Sequence, residues 1–390
     1  MAVVEIRKGV NLVGVRDWSK KIFDALIPLP LGTSYNSYLV KGSAKTALID
    51  TVNADFAGEL MRNIGETAQK ELDYLVMNHA EPDHAGSIPA IMEAAPQAVL
   101  VATPKGVDMA RLYFHVSADR TRAVKDGDTI DLGGKTLQFI EAPFLHWPET
   151  MFTYIKEDKI LCPCDFMGFH TAEALYDDEV EEFTALAKAY FGEIMMPYAR
   201  MGAKALDKIK DLPIDVIAPS HGPIHRNPRR ILECYRKWTA GETVEKAILV
   251  YVTMWSSTEK MIRAMADALI GEGIEVRVHN LAAADIGTIA KDLVDSRAIV
   301  LGAPTVLGGM HPLGIYGANL VKMLRPPAKY AVALSSYGWG GGAIKQAAEI
   351  LGPTKIEIVG AHEVKGPPSA DDLAKVAEIG RTLAARIKAG

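Results

Sequence analysis

The sequence predicts an α/β protein of two domains, and three observations lead there. The chain is 390 residues long, more than one hydrophobic core usually spans. Its first part reads as short strands joined by turns, with helices set between groups of strands. Its last part repeats apolar strand, loop and amphipathic helix, the rhythm of a parallel sheet covered on both faces. The change follows "RKWTAGETVEKA", giving a first domain of residues 1–246 and a second of 247–390.

In the first domain, "SYNSYLVKG" and "KTALIDT" predict an early hairpin, "DYLVMN" a strand, "SIPAIMEAA" a helix and "AVLVAT" another strand. "IDLGGKTLQFIEA" carries a Gly-Gly turn between two β-rich runs, and "MFTYI" and "ILCPCD" flank the polar turn "KEDK". Both read as hairpins. A mainly helical stretch is expected from Asp177 to Lys210, then a last strand and loop in "IDVIAPSHG". In the second domain the strands are "AILVYVT", "EVRVHNL", "AIVLGAP", "YAVALSS" and "KIEIVGA". "STEKMIRAMADALIGEG" and "GAIKQAAEILG" carry helical spacing between them.

Composition narrows the function. Hydrophobic residues make up 49% and charged residues 23%, ordinary for a soluble globular chain. A formal charge of -5 argues against nucleic acid, which favours a basic balance. No secretory signal opens the chain and no run of apolar residues suits a membrane span, so neither export nor membrane insertion is expected. Three cysteines, Cys162, Cys164 and Cys234, make no disulfide framework and fit a reducing cytoplasm. "CPC" reads as buried strand cysteines, or as half a metal or redox site without its second pair.

The chemistry concentrates in "NHAEPDHAG", where His79, Glu81, Asp83 and His84 crowd one loop at a strand end. Pro82 is expected to block a regular helix there and Gly86 to permit a sharp exit. His146 in "LHWPET", Asp165 closing "ILCPCD" and His221 in "PSHGP" also follow predicted strands. Strand ends hold ligands on a rigid scaffold while leaving them open to chemistry. Four imidazoles and three carboxylates exceed one metal but suit two with a bridging carboxylate. Without a thiolate, Fe–S clusters and Cys-type zinc are disfavoured, and the carboxylates shift the balance toward iron or manganese. Three carboxylates and one bridging hydroxide would neutralise two divalent ions. His225 rivals His221 for the last position. His115, His279, His311 and His362 read as surface or satisfied core residues.

"HAEPDH" resembles the metal motif of the metallo-β-lactamase superfamily, whose hydrolases usually carry histidine where this chain has Glu81. With "LHWPETMFTY", "CDFMG" and "PSHGP", the chain is similar to the flavodiiron proteins over nearly its whole length. The resemblance implies a metallo-β-lactamase-like αββα sandwich followed by a flavodoxin-like doubly wound parallel sheet. It implies one non-haem iron on His79, Glu81 and His146, another on Asp83, His84 and His221, and Asp165 bridging. Whether His84 binds directly differs among family members, and the "SHG" match favours His221 over His225. Tyr198 in "IMMPYAR" resembles a tyrosine of the family that faces the substrate pocket. A packed tyrosine with a satisfied hydroxyl is its other reading.

The second domain offers three loops at strand ends. Thr253, Met254, Trp255, Ser256, Ser257 and Thr258 open a helix, where hydroxyls and backbone N–H groups suit a phosphate. Pro304, Thr305, Val306, Leu307 and Gly308 form the second loop, and Ser336, Tyr337, Gly338, Trp339, Gly340 and Gly341 the third. In an open α/β sheet such loops gather at the carboxyl edge. The glycines admit a flat ring, and Trp255, Tyr337 and Trp339 offer stacking faces. The loops look like those of flavodoxin, which binds FMN. No "GxGxxG" follows the first strand, so NAD is not expected.

The resemblance implies reduction of dioxygen to water or of nitric oxide to nitrous oxide, and a head-to-tail homodimer, alone or doubled to a tetramer. No paired "CxxC" follows the second domain, so electrons are expected from an external rubredoxin, reduced deazaflavin coenzyme or flavin reductase. The rival classes are a binuclear zinc hydrolase with an attached flavodoxin module, and a pure electron carrier.

Overall fold

The computed structural model describes residues 2–67 and 71–390. The chain divides into two compact units, Met1–Tyr190 with Tyr198–Thr239, and Phe191–Pro197 with Ala240–Gly390. The strand Val244–Tyr251 opens the second unit's sheet, so the sequence-based boundary after residue 246 falls inside it.

The first unit is built on two facing sheets. One has seven strands in the order Val4–Arg7, Val10–Leu12, Tyr38–Lys41, Thr46–Ile49, Tyr74–Val76, Val99–Ala102, Thr121–Ala123. The other has five, Thr129–Asp131, Thr136–Glu141, Met151–Ile155, Ile160–Cys162 and Val216–Ile217. Alternation sends one face of each inward, so Val10, Tyr38, Ala47 and Val76 of the first meet Leu137, Phe139, Met151 and Ile160 of the second in one core. The helices Ala57–Glu66, Ile88–Ala94 and Pro104–Phe114 cover the first sheet. The three hairpins expected from sequence form, pairing Lys41 with Thr46, Asp131 with Thr136 and Ile155 with Ile160.

Two local expectations need correction. Pro82 does not prevent a helix; it begins one, Pro82–Ala85, because proline's missing N–H is no loss in a first turn. The helical stretch from Asp177 to Lys210 is broken into Phe183–Tyr190, a π turn Phe191–Met195, a 3-10 turn Met196–Tyr198 and Ala199–Ile209. The α ladder ends at Tyr190, Pro197 lies in the 3-10 turn, and Phe191–Pro197 joins the second unit. At Gly192 a Cβ would meet the Ala290 carbonyl oxygen at 2.5 Å, a closeness only glycine permits.

The second unit is a five-stranded parallel sheet ordered Glu275–Asn280, Val244–Tyr251, Ser296–Gly302, Tyr330–Tyr337, Glu357–Lys365. Its first strand is therefore second in space, the doubly wound order that opens a crevice at the carboxyl ends. Ala247, Leu249 and Tyr251 face a core shared with the helices Ser257–Gly271 and Ala370–Ala389. Val250, on the opposite face, approaches Gly317 of the helix Pro312–Leu324. Among the described residues no helix is long and apolar enough to cross a membrane.

Candidate metal centre and flavin cleft

Strand ends from both sheets of the first unit converge on one cluster. His79 and Glu81 precede the short helix Pro82–Ala85, while Asp83 and His84 ride on it. His146 follows the strand Thr136–Glu141, Asp165 follows Ile160–Cys162, and His221 follows Val216–Ile217. Ligand-type atoms of His79, Glu81, His146 and Asp165 lie within 4.8 Å of one another, and so do those of Asp83, His84 and His221. Asp165 divides itself between the groups. Its Oδ2 lies 3.5 Å from His79 Nε2 and 3.6 Å from His146 Nε2; its Oδ1 lies 2.9 Å from His84 Nε2 and 3.5 Å from His221 Nε2. All seven predicted residues meet.

The cluster is short of positive charge. Burial disfavours the charged imidazolium, yet Glu149 and Glu81 push His79 up to about 9, and Asp83 and Asp165 push His84 up to about 9. His146, likewise opposed by burial, rises to about 10 beside Asp165 and Glu81. Burial works against ionisation of Glu81 and Asp165, but the imidazoles hold both well below the usual carboxylate range. Both oxygens of Asp83 and Oδ2 of Asp165 are buried without a hydrogen-bond partner. Lone pairs buried this way are costly unless a cation takes them. The donor set therefore fits a pair of metal ions, with Nε2 of each histidine inward.

Neighbouring groups fix these atoms. Glu149 Oε1 accepts from His79 Nδ1 at 2.8 Å and from Ala80 N at 2.9 Å, and Ser34 O accepts from His221 Nδ1 at 2.7 Å. Asp50 accepts from Asn78 N at 2.7 Å and Asn78 Nδ2 at 3.0 Å, bracing the loop just before His79. Burial raises Asp50 to about 6. Glu81 and His146 keep side-chain exposures of 15% and 16%, against 0–7% for the other five, so the cluster opens on their side.

Three further candidates stand apart from the seven. His225 does not join the cluster: its Nε2 donates to Met167 O at 2.8 Å and its ring packs on Phe169 and Phe183. Cys164 comes near His84 and Asp165, but burial first, then Asp50 and Asp165, push its thiol well up, so it stays protonated. No hydrogen bond or ring contact joins Tyr198 to the cluster among the described residues. Tyr190 is the tyrosine found there, its ring 5.0 Å from His170 and 6.1 Å from His221. The sequence reading missed Tyr190, His170, Glu149 and Asp50. Asp50, directly after the strand Thr46–Ile49, and Glu149, three residues after His146 in the same strand-end loop, lay where strand-end reasoning could have found them.

In the second unit the three loops line one cleft. Thr253, Met254, Trp255, Ser257, Pro304, Thr305, Val306, Leu307, Ser336, Tyr337, Gly338 and Trp339 surround it, joined by Gly366 and Pro367 after the last strand. Ser256, Thr258, Gly308, Gly340 and Gly341 do not line it. Ser256 precedes the helix in a left-handed conformation, Thr258 bonds Ser336 Oγ at 3.2 Å, and Gly341 lies against Glu363, whose Oε2 a Cβ would meet at 2.3 Å. Thr253 Oγ1 is buried without a protein partner, as a hydroxyl awaiting a phosphate or ring atom would be. Trp255, Leu307 and Trp339 are 86%, 96% and 91% exposed, so they rim the cleft.

Comparison with known proteins bears on both units. Residues 33–222 match the ODP family beta lactamase model and residues 249–380 the flavodoxin model. The chain is 40% identical to a nitric oxide reductase of Moorella thermoacetica over 98% of both chains. It superposes on the rubredoxin oxygen:oxidoreductase of Desulfovibrio gigas with a TM-score of 0.96 at 31% identity, covering 99% of each chain. It superposes on the flavodiiron protein of Giardia intestinalis with a TM-score of 0.95 at 29% identity, covering 100% of this chain and 97% of that one.

Proposed function

This chain belongs to the flavodiiron proteins, and on that premise we propose that it reduces dioxygen to water, nitric oxide to nitrous oxide, or both. It is an oxidoreductase with a diiron site and FMN. The observation that carries the reading is Asp165, one oxygen toward each of two ligand groups. His79, Glu81 and His146 would hold one iron and Asp83, His84 and His221 the other, with Asp165 shared. When bound, the irons supply open coordination positions and FMN supplies electrons singly or in pairs.

The chain's own residues prepare that chemistry. Glu149 and the Ser34 carbonyl fix the tautomers of His79 and His221, so each presents Nε2 inward. Phe23, 5.9 Å from His221, and Tyr35, 5.8 Å from it, exclude water on that side. The exposed side at Glu81 and His146 admits the substrate. In the cleft, Thr253–Trp255 and Ser257 would hold the FMN phosphate at the N-terminus of the helix Ser257–Gly271. Pro304–Leu307 and Ser336–Trp339 would flank the ring.

The electron donor is a rubredoxin, a reduced deazaflavin coenzyme or a flavin reductase. The working form is a head-to-tail homodimer, or that dimer doubled, in which a second copy covers the exposed rim of Trp255, Leu307 and Trp339. Free cysteines support a cytoplasmic setting. The hydrolase alternative is not favoured, since the matched relatives carry reductase and oxidoreductase names. Metal and flavin analysis tests the reading: an iron pair with one FMN per chain supports it, and zinc or no metal overturns it. Anaerobic stopped-flow mixing of the reduced protein with each gas then separates the substrates.

A further inference from the structure

Two helices of the second unit begin at the edge where the flavin cleft lies. Ser257–Gly271 opens at Ser257, which lines the cleft, and Ala370–Ala389 closely follows Pro367, which also lines it. Both pack into the core on one face of the sheet. A helix N-terminus carries unpaired N–H groups and partial positive charge, so each is suited to a phosphate. The two ends are finished in opposite ways.

The first end is open. Ser256 precedes it and makes no side-chain cap bond. Glu259, the acid of the first turn, accepts instead from Arg263 at 2.6 Å. Thr253 Oγ1, on the same cleft loop, is buried without a protein partner. The second end is shut by a capping box. Ser369 Oγ accepts from Asp372 N at 3.2 Å, while Asp372 Oδ2 accepts from Ser369 N at 2.9 Å and from Ser369 Oγ at 2.6 Å. A carboxylate thus occupies the place an anion would take.

The link from the cleft to that shut end has no free donor. Gly366 N already donates to Tyr337 O at 2.7 Å, and Pro367 and Pro368 have no N–H. Among the described residues lining the cleft none carries a charge, so a phosphate there depends on hydroxyls and N–H groups. The cleft encloses about 380 Å³, near the small end of ligand sites.

We propose that Pro367 and Asp372 limit the cleft to a flavin with one phosphate. The open end of Ser257–Gly271 takes that phosphate; the segment 366–372 denies a second one its donors and repels its charge. The class excluded is the dinucleotide, in which a second phosphate and a nucleoside extend from the first. The proposal rests on the FMN reading above and concerns cofactor choice, not catalysis.

The full chain, with its own flavin removed, is offered equimolar FMN and FAD. The bound flavin is identified by chromatography, with iron measured on every sample. The parent should prefer FMN by about 100-fold, the worth of charged hydrogen bonds left unmade. Pro367→Gly, which restores an N–H, should narrow that ratio about tenfold. Asp372→Ala, which frees the Ser369 donors and removes the charge, should narrow it by a similar factor. Riboflavin, titrated separately by fluorescence, carries no phosphate and should keep its parent affinity in both variants. Equal uptake of FMN and FAD by the parent, or an unchanged ratio in either variant, overturns the proposal. So does a riboflavin loss as large as the change in ratio. If Asp372→Ala fails to fold, Pro367→Gly decides alone. A parent chain that takes up no flavin instead refutes the underlying cofactor reading.

Discussion

The two units handle carboxylates in opposite ways, and the contrast shows how each was built. In the first unit Asp165 is fully enclosed but stands among four imidazoles, which hold it well below its usual range. In the second, Glu193 is half-buried beside Asp285, and burial, with Asp285 adding to it, pushes the carboxyl up from 4.5 to about 7. The same chemistry becomes a charged ligand in one place and a proton holder in the other, because neighbours outweigh intrinsic acidity. The binding sites differ likewise. The metal centre is made of side chains whose lone pairs are fixed by a surrounding shell of hydrogen bonds. The flavin cleft is made of loops, glycine backbone and exposed rings.

If the contrast holds, damage to one site should spare the other. Asp165→Asn removes the one group that faces both ligand sets, and should lower iron affinity more than about 100-fold, beyond what an orienting partner is worth. Metal analysis should then show little iron while flavin absorbance stays at parent level; simultaneous loss of FMN would mean the sites are not independent.

Glu193→Gln tests the other carboxylate. A folded-state acid with a raised pKa binds more protons than the unfolded chain, so its cost is absent below about pH 4.5 and grows until pH 7. The parent protein should lose stability across that window, and the variant should not. At pH 8 the variant should gain up to about 3 kcal/mol, read as a higher thermal midpoint for flavin release. Parallel pH curves for the two proteins would remove Glu193 from the account.

Glu149→Gln keeps the shape but loses the carboxylate that orients His79. About 10- to 100-fold weaker iron binding is expected, measured by competition with a chelator. Thr253→Val is the matching change in the cleft. It should weaken FMN about tenfold by fluorescence titration, with iron unaltered. The smallest metal effect belongs to His225→Gln, which should leave iron content at the parent level although packing on Phe169 and Phe183 is lost. A fall in iron there would return His225 to the ligand set.

Much of this was legible in the sequence because some signals are local. Strand and helix periodicity depends on which side chains must be buried, so the hairpins and the repeating second unit could be read directly. The crowding of His79, Glu81, Asp83 and His84 is likewise local, and strand-end placement brought His146, Asp165 and His221 within reach. Tyr190 and His170 were not legible. Each sits in a stretch whose pattern is that of ordinary packing, and only distant segments give them a role. Tyr198 was singled out on a motif, and a motif marks a stretch of chain, not the direction of a ring.

The sequence alone determined the element types, the two-unit plan and the ligand chemistry, since burial pattern and donor type are properties of residues in their local order. Tertiary structure decided which oxygen of Asp165 faces which histidines, that Pro82 begins a helix, and that Phe191–Pro197 joins the second unit. Those are matters of distance between segments far apart in the chain, and hydrogen bonds and charges respond to distance rather than to order.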